Sequence, residues 1–351
     1  VALTTIPFDP VLDLAPWVGQ RSSTFRFRLV NAVTGERLGD IHPIRGGSLT
    51  HDTSRIIKRQ LNISLGTQDT AAVNPITDRI ELSMVVNDVE WPLGRYMFTD
   101  QTKQVFTSGN LSNVVLNDEM FLVDQEVTNG INSVGFSIAV TLNVLLGELP
   151  IEYTLEPSPY ISAGAWSRGQ TRGSILESLA VAGDLFSPWF GNDSAMHFIR
   201  TFNPANQIPA FDFDSGYKVL REGISETSDL LTAPNRFVVI SNSPNNPDVQ
   251  VVAVADVPQN APNSFINRGF IIAKTEDLQL TDVGQALAVA QGLVNRQTIF
   301  ERVTLTTAPD PRHDSYNVIL WQGELWLELA WSLDLAEGGT MTHVIRRGYP
   351  T

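Results

Sequence analysis

Five histidines, no cysteine and several paired carboxylates are the side chains that could do chemistry in this sequence. His42, His51, His197, His313 and His343 include no His-Glu-x-x-His pair, and without thiolates a zinc site needs imidazole and carboxylate alone. The nearest local set, His51-Asp52, reads as a polar loop pair. Nucleophilic hydrolysis needs an exposed serine on a strained elbow, and no Gly-x-Ser-x-Gly occurs. Gly46-Gly-Ser-Leu-Thr50 instead reads as a turn. No phosphate-binding glycine loop is present. Facing carboxylates could serve a glycosidase, and Asp88 with Glu90, Asp212 with Asp214, and Glu324 with Glu328 are the available pairs. Carboxylates two apart on an alternating strand share its solvent face by default. Asp212-x-Asp214-x-Gly216 resembles part of a calcium loop but lacks the remaining oxygen ligands and the closing glutamate. The expectation is a chain that is not an enzyme, with no catalytic residue, metal ligand or cofactor.

Seven tryptophans are the other chemical resource. Trp321, Trp326 and Trp331 crowd one hairpin, where exposed rings could stack on sugars. Trp326 lies five residues from each of the others, and on an unbroken strand an odd offset places it on the opposite face. A flat sugar platform is therefore not expected. Trp91, Trp321, Trp326 and Trp331 are assigned as interface aromatics, because large rings are enriched in cores and subunit interfaces.

The chain of 351 residues carries 24 basic and 38 acidic side chains, a formal charge of −14. Such a field repels nucleic acid on average. A composition of 42% hydrophobic and 18% charged residues argues against disorder, and the length suits two or three domains. No apolar run approaches the ~20 residues that span a bilayer. The opening stretch carries Asp9 and Asp13 and no basic leader, so a signal peptide is not expected.

Period-two alternation dominates the positioning elements. Residues 24–29 place Phe25, Phe27 and Leu29 on one face and Arg26 and Arg28 on the other. Strands follow at 37–44, 60–65 (Leu61, Ile63 and Leu65 inward), 79–86, 96–100 and 104–107, with a polar loop at 67–78. Residues 113–126 read as two short strands around Asn117-Asp118. Short strands at this spacing indicate an all-β sandwich or barrel. From about Gly130 the texture changes. Residues 136–146 fit either strand or helix, and Ser174 with Glu177 forms a capping box for a helix that Gly183 ends. A strand pair brackets Gly191-Asn192-Asp193. Strands at 236–240 and 249–257 precede a helix at 282–297 capped by Thr281 or Asp282, and strands return at 302–306, 317–321, 325–335 and 341–346. Asn113-Val-Val-Leu116 with Glu119-Met-Phe-Leu122 echoes Asn317-Val-Ile-Leu320 with Glu324-Leu-Trp-Leu327, which suits two related β modules. The expected fold is mainly β with a small α+β part, two β-barrel domains flanking or enclosing an α+β domain. The boundaries are an extended segment at 1–19, a first barrel at 20–129, an α+β domain at 130–224 and a second barrel at 225–351 with an inserted segment.

Leu38-Gly-Asp-Ile41, Gly47-Ser-Leu-Thr-His-Asp52, residues 79–84, Trp91-Pro-Leu-Gly94 and Tyr96-Met-Phe-Thr99 together resemble the opening of tail-tip (baseplate) hub proteins of long-tailed actinobacteriophages. Val303-Thr-Leu-Thr-Thr307 with Pro309-Asp-Pro-Arg312, after a helix rich in alanine and glutamine, is similar to that family's closing barrel. His313-Asp-Ser-Tyr316 departs from it where a glycine-bearing turn is expected. The resemblance implies a structural virion protein at the tail tip, made in the host bacterial cytoplasm. It implies a homotrimer whose twin barrels form a ring of six, seating a sixfold tail tube or distal tail protein above and a threefold fibre or spike protein below. DNA passes only in transit, no membrane is entered, and no peptidoglycan hydrolase is fused. The alternative is a carbohydrate-binding tail-tip protein that contacts the host surface.

Overall fold

The computed structural model describes residues 22–349 except 107–108, 163, 215–218, 230, 243–249, 279, 281–282 and 298–299. In chain order it begins with strands β1 (Ser23–Asn31), β2 (Arg37–Ile41), β3 (Arg45–Asp52) and β4 (Arg59–Gly66), then helix α1 (Thr67–Ala72). Strands β5 (Asp78–Val86), β6 (Val89–Phe106) and β7 (Gly109–Asn117) follow, with helix α2 (Met120–Val123). The middle comprises β8 (Ile131–Asn132), α3 (Ile138–Leu146), β9 (Tyr153–Leu155), β10 (Ala165–Trp166), α4 (Arg172–Ala182), β11 (Trp189–Phe190), β12 (Met196–Phe198) and β13 (Phe211–Asp212). Next come β14 (Val219–Ser228), β15 (Arg236–Asn242), β16 (Gln250–Asp256), α5 (Phe265–Arg268), β17 (Ala273–Asp277) and α6 (Val283–Gln297). The chain closes with β18 (Glu301–Thr307), β19 (Val318–Trp321), β20 (Glu324–Asp334) and β21 (Met341–Arg347).

The alternating segments form strands because one face of each is apolar. Phe27 and Leu29 of β1 are buried, while Arg26 and Arg28 reach across the other face to Glu90. Leu61, Ile63 and Leu65 of β4 are at most 3% exposed. Each such side chain contributes roughly 1.5–3 kcal/mol on burial. Side chains from all of β1 to β7 share one core with Trp331 and Leu333 of β20 and Met341 of β21. Only a sheet rolled over on itself can bring strands so far apart in its order into one cluster.

Several local expectations change. The polar segment after β4 holds the one-turn helix α1, with Asp69 in its first turn. The second strand expected before residue 126 is α2, and the Asp118 side chain accepts the Met120 amide at 3.0 Å as the chain enters it. The echo between residues 119–122 and 324–327 is therefore one of sequence only, helix against strand. The strands expected at 96–100 and 104–107 belong to a single strand, β6. Of residues 136–146, 138–146 form helix, with Ser137 capping it by accepting the Val140 amide. The cap of α4 is Thr171, which accepts from the Ser174 amide at 3.2 Å, and Gly183 ends the helix as expected. Ser174 returns its hydroxyl to the Thr171 carbonyl, and Glu177 points away to Ser187. Gly46-Gly-Ser-Leu-Thr50 lies in strand β3, not a turn. The caps expected at Thr281 or Asp282 lie outside the described residues.

The largest change is in the sheet. Two closed barrels were expected. A single 13-stranded sheet runs β14-β18-β21-β20-β3-β4-β7-β6-β5-β1-β2, with β19 and β13 branching from β20. Its ends, β14 and β2, do not pair, and no ring closes among the described residues. The cause is β20. Its first half pairs with β19 and its second half, Ala330–Asp334, pairs with β3, while β21 follows its other edge. One strand thereby belongs to both β modules. A separate sheet β16-β15-β17 is covered by α6, with Phe237, Val239, Ala290 and Leu293 in its core. Helices α2, α3 and α4 pack with β9 and β12 around Leu142, Leu176 and Phe198. No helix of the described residues is long and apolar enough to cross a membrane.

Candidate functional site

The chemistry-bearing side chains gather where β20 changes neighbours. Trp331 of β20 stands opposite His51 of β3, and their rings stack at 5.3 Å between centroids. His51 is thus a core residue rather than half of a loop pair. Its Nε2 lies 2.6 Å from Ser315 Oγ, and burial, helped by the Arg59 and Lys58 charges, holds its pKa well below the usual histidine range.

Arg59, only 1% exposed, is the hub of this junction. It donates to Asn192 Oδ1 at 2.7 Å, Asp314 Oδ1 at 2.5 Å and the Leu93 carbonyl at 3.3 Å. Asp314 also accepts from Trp189 Nε1 at 2.8 Å, and Asn192 Nδ2 donates to the Pro311 and His313 carbonyls. Trp331 Nε1 donates to the Asp314 carbonyl at 2.9 Å. Behind Arg59, Asp118 takes the Arg59 and Met120 amides, yet burial pushes its carboxyl up to about 6. One polar seam therefore ties β4, the β11–β12 turn, the loop before β19 and β20 itself. A buried guanidinium with this many oriented acceptors fixes geometry more than it adds net stability.

The loop before β19 is where the sequence lacks an expected glycine. Tyr316 takes the left-handed conformation there, at φ 58°. A non-glycine residue at such a φ costs roughly 1–3 kcal/mol. The ring is held by stacking on Phe186 at 4.2 Å, and its hydroxyl donates to the Ser187 carbonyl at 3.2 Å.

A second buried group stands beside the seam. Glu328 Oε2 is 2.9 Å from His313 Nδ1, its Oε1 is 2.6 Å from His343 Nδ1, and Asn317 Nδ2 donates to Oε2 at 3.1 Å. The three side chains are at most 1% exposed. Burial opposes the Glu328 charge, but the two imidazoles hold the carboxyl far below its usual range. Burial and the neighbouring His313 lower the His343 pKa. These are the described side chains whose ligand atoms lie close enough together to share a metal ion. The expectation that Glu324 and Glu328 share a solvent face fails here. Glu324 pairs with Arg347 at the surface, whereas Glu328 points inward at the register shift between Glu328 and Ala330.

A cleft of about 1120 Å³ is lined in part by Glu177 of α4, Lys274 of β17 and Arg296 of α6, with Ser187, Asp229 and Phe300 from the connecting segments. Ser187 donates its hydroxyl hydrogen to Glu177 and accepts from the buried Lys58 ammonium. Burial lowers the Lys58 pKa, and Glu177 opposes that shift. The serine bridges an ion pair, both sides of its hydroxyl engaged, which suits a structural link between α4 and β4.

The other expected residues serve locally. Glu90 binds Arg26, Arg28 and Ser83, and Asp88 takes a left-handed turn conformation. Asp214 accepts the Gln322 and Gly323 amides and caps the β19–β20 turn. Trp331 lies in the rolled-sheet core and Trp326 in a neighbouring one, with Trp321 packed against the latter and Trp91 against the former. The His313–Glu328–His343 group escapes local motifs because its members sit fifteen residues apart on separate elements. The available signal was Glu328 two residues from Trp326, an acid on the inward face of an apolar strand.

No family model matches the chain, and no curated protein matches it. Solved structures do. A tail protein from Neisseria meningitidis MC58 is similar over 92% of this chain and 97% of its own, with a TM-score of 0.62 at 14% identity. The 43 kDa tail protein of prophage MuSo2 from Shewanella oneidensis covers 93% and 98%, with a TM-score of 0.62 at 11% identity. Prophage tail protein gp18 from Listeria monocytogenes EGD-e covers 91% and 94%, with a TM-score of 0.58 at 6% identity. The class defined is one of fold: this chain has the fold of these tail proteins along almost its whole length.

Proposed function

We propose that this chain is a structural, non-enzymatic component of a phage tail tip, acting as a hub. The observation that carries the reading is a likeness to tail proteins that spans 92% of this chain and 97% of the neighbour, so the shared unit is nearly all of both chains. Physical support comes from the joint between its β modules. The β20–β3 ladder, braced by Arg59 and Asp314, fixes one module against the other. A subunit with two rigidly linked modules lets three copies offer six similar seats, matching a sixfold tube or distal tail protein above and a threefold fibre or spike below. A cyclic trimer closes its heterologous interface without leaving sticky ends. In this reading the chain resides in the virion, DNA meets it only in transit, and an actinobacterial host belongs to the proposal. Trp91 and Trp321, each half-buried, are its candidate contact aromatics. Trp326 and Trp331 are only 6% and 2% exposed, so the glycan-binding alternative gains no platform from them.

Light scattering after size exclusion tests the hub. A mass three times 38.6 kDa, and a threefold ring at the tail tip of imaged virions, are the expected results. A dimer in solution, or virions lacking the chain, overturns the proposal.

A further inference from the structure

We infer that His313, Glu328 and His343 form a binding site for one divalent transition-metal ion of the zinc type, buried at the joint between the two β modules. The hydrogen positions around His343 carry the case. Thr307 Oγ1 donates its hydrogen to the Ala308 carbonyl at 2.9 Å, so toward His343 Nε2, at 2.8 Å, it is an acceptor. Nε2 therefore bears the ring hydrogen. In the neutral imidazole this leaves the Nδ1 lone pair aimed at Glu328 Oε1, 2.6 Å away. Two facing lone pairs need a positive centre: a proton satisfies them at 2.6 Å, and a metal ion does so once the pair opens to the ~3 Å that two bonds of ~2.0–2.1 Å require.

The surroundings favour a metal for that role. Among the described residues, the polar side chains that reach Glu328 are two imidazoles and one neutral amide, and no lysine or arginine pairs with it. An isolated buried carboxylate is costly unless compensated. Imidazole nitrogen and carboxylate oxygen suit zinc-type ions, and two histidines with one glutamate is an established ligand chemistry for them. The rings are held in place beforehand. His313 stacks on Phe211 at 3.7 Å with planes 9° apart, and Thr307 orients His343 through the nitrogen that faces away from Glu328, as outer partners of metal-bound histidines do. Asn317 donates its amide hydrogen to the same carboxylate at 3.1 Å and so holds it in place from the outer layer. The ligands come from the loop before β19, from β20 and from β21. Glu328 lies where β20 passes from β19 to β3, so a bound ion would lock that passage.

The test uses the full chain made in zinc-supplemented medium, stripped of surface metal on chelating resin and measured by plasma mass spectrometry. About one zinc per chain is expected, falling at least ~10-fold in Glu328→Gln and His343→Asn and unchanged in His42→Ala, whose ring is exposed. X-ray absorption at the zinc edge of the wild-type protein decides the matter even where a core variant does not fold. Outer-shell scattering from two imidazoles is expected. A chain with less than a tenth of an equivalent of zinc, zinc retained in both core variants, or a spectrum with one imidazole or none overturns the proposal, and a proton then holds the triad together.

Discussion

At the residue scale, the junction is built from polar groups that burial makes expensive and partners make tolerable. Asp118 shows the balance most clearly. It accepts two backbone amides and lies near Arg59 and Lys58, but desolvation prevails and its carboxyl is raised from 3.8 to about 6. Because the folded chain binds that proton more tightly than the unfolded one, Asp118 adds stability below pH ~4 that is lost as the pH rises through about 6. The span corresponds to about 3 kcal/mol. Glu328, shifted the opposite way, adds stability above the unfolded glutamate range and loses it in stronger acid. The Asp118 share is isolated by subtracting urea-unfolding profiles of Asp118→Asn from those of the parent chain between pH 4 and 7. The difference is expected to shrink as pH rises across the window. A flat difference rules out this assignment.

At the element scale, β3 sets the tightest demand. A side chain on Gly47 would place its Cβ 2.2 Å from the Asn62 carbonyl oxygen and 2.8 Å from Ile63 Cγ2. The first neighbour is backbone in β4 and cannot turn aside without breaking the β3–β4 ladder. Gly47→Ala is therefore expected to cost at least ~2 kcal/mol, read as a lower denaturation midpoint at unchanged slope. A midpoint equal to the parent's shows that the strands yield. The same segment marks a limit of pattern reading. Two glycines before a serine suggest a turn, whereas here they let β3 pass close to β4 and to Leu335 and Ala336 just after β20. Most elements were legible from alternation or capping chemistry. The one-turn helices were not, because four residues in α2 and six in α1 are too few to show a helical period.

At the scale of the whole molecule, the 13-stranded sheet and the three-stranded sheet differ in how they are held. Strands β4 and β7 have neighbours on both edges and share the rolled core. Among the described residues, strand β17 pairs along one edge only, and its residues are mostly exposed. Amide hydrogen exchange followed by mass spectrometry is expected to run at least ~10-fold faster in β16 and β17 than in β4 and β7. Equal protection would mean that the two sheets open as one unit. Such a division gives the chain a rigid 13-stranded part and a less tightly held three-stranded layer.

What the sequence determined alone was local: which faces are apolar, where strands and the long helices run, and that the chain is acidic, free of cysteine and mainly β. Those properties are set by residues two to four positions apart. Tertiary structure alone decided that β20 joins both modules, that Glu328 meets His313 and His343, and that Arg59 finds Asp314. The last two are 255 residues apart and His51 and Ser315 are 264 apart. No local period encodes a meeting across such a span. It is selected when the rolled sheet closes over its core and each buried charge must find a partner.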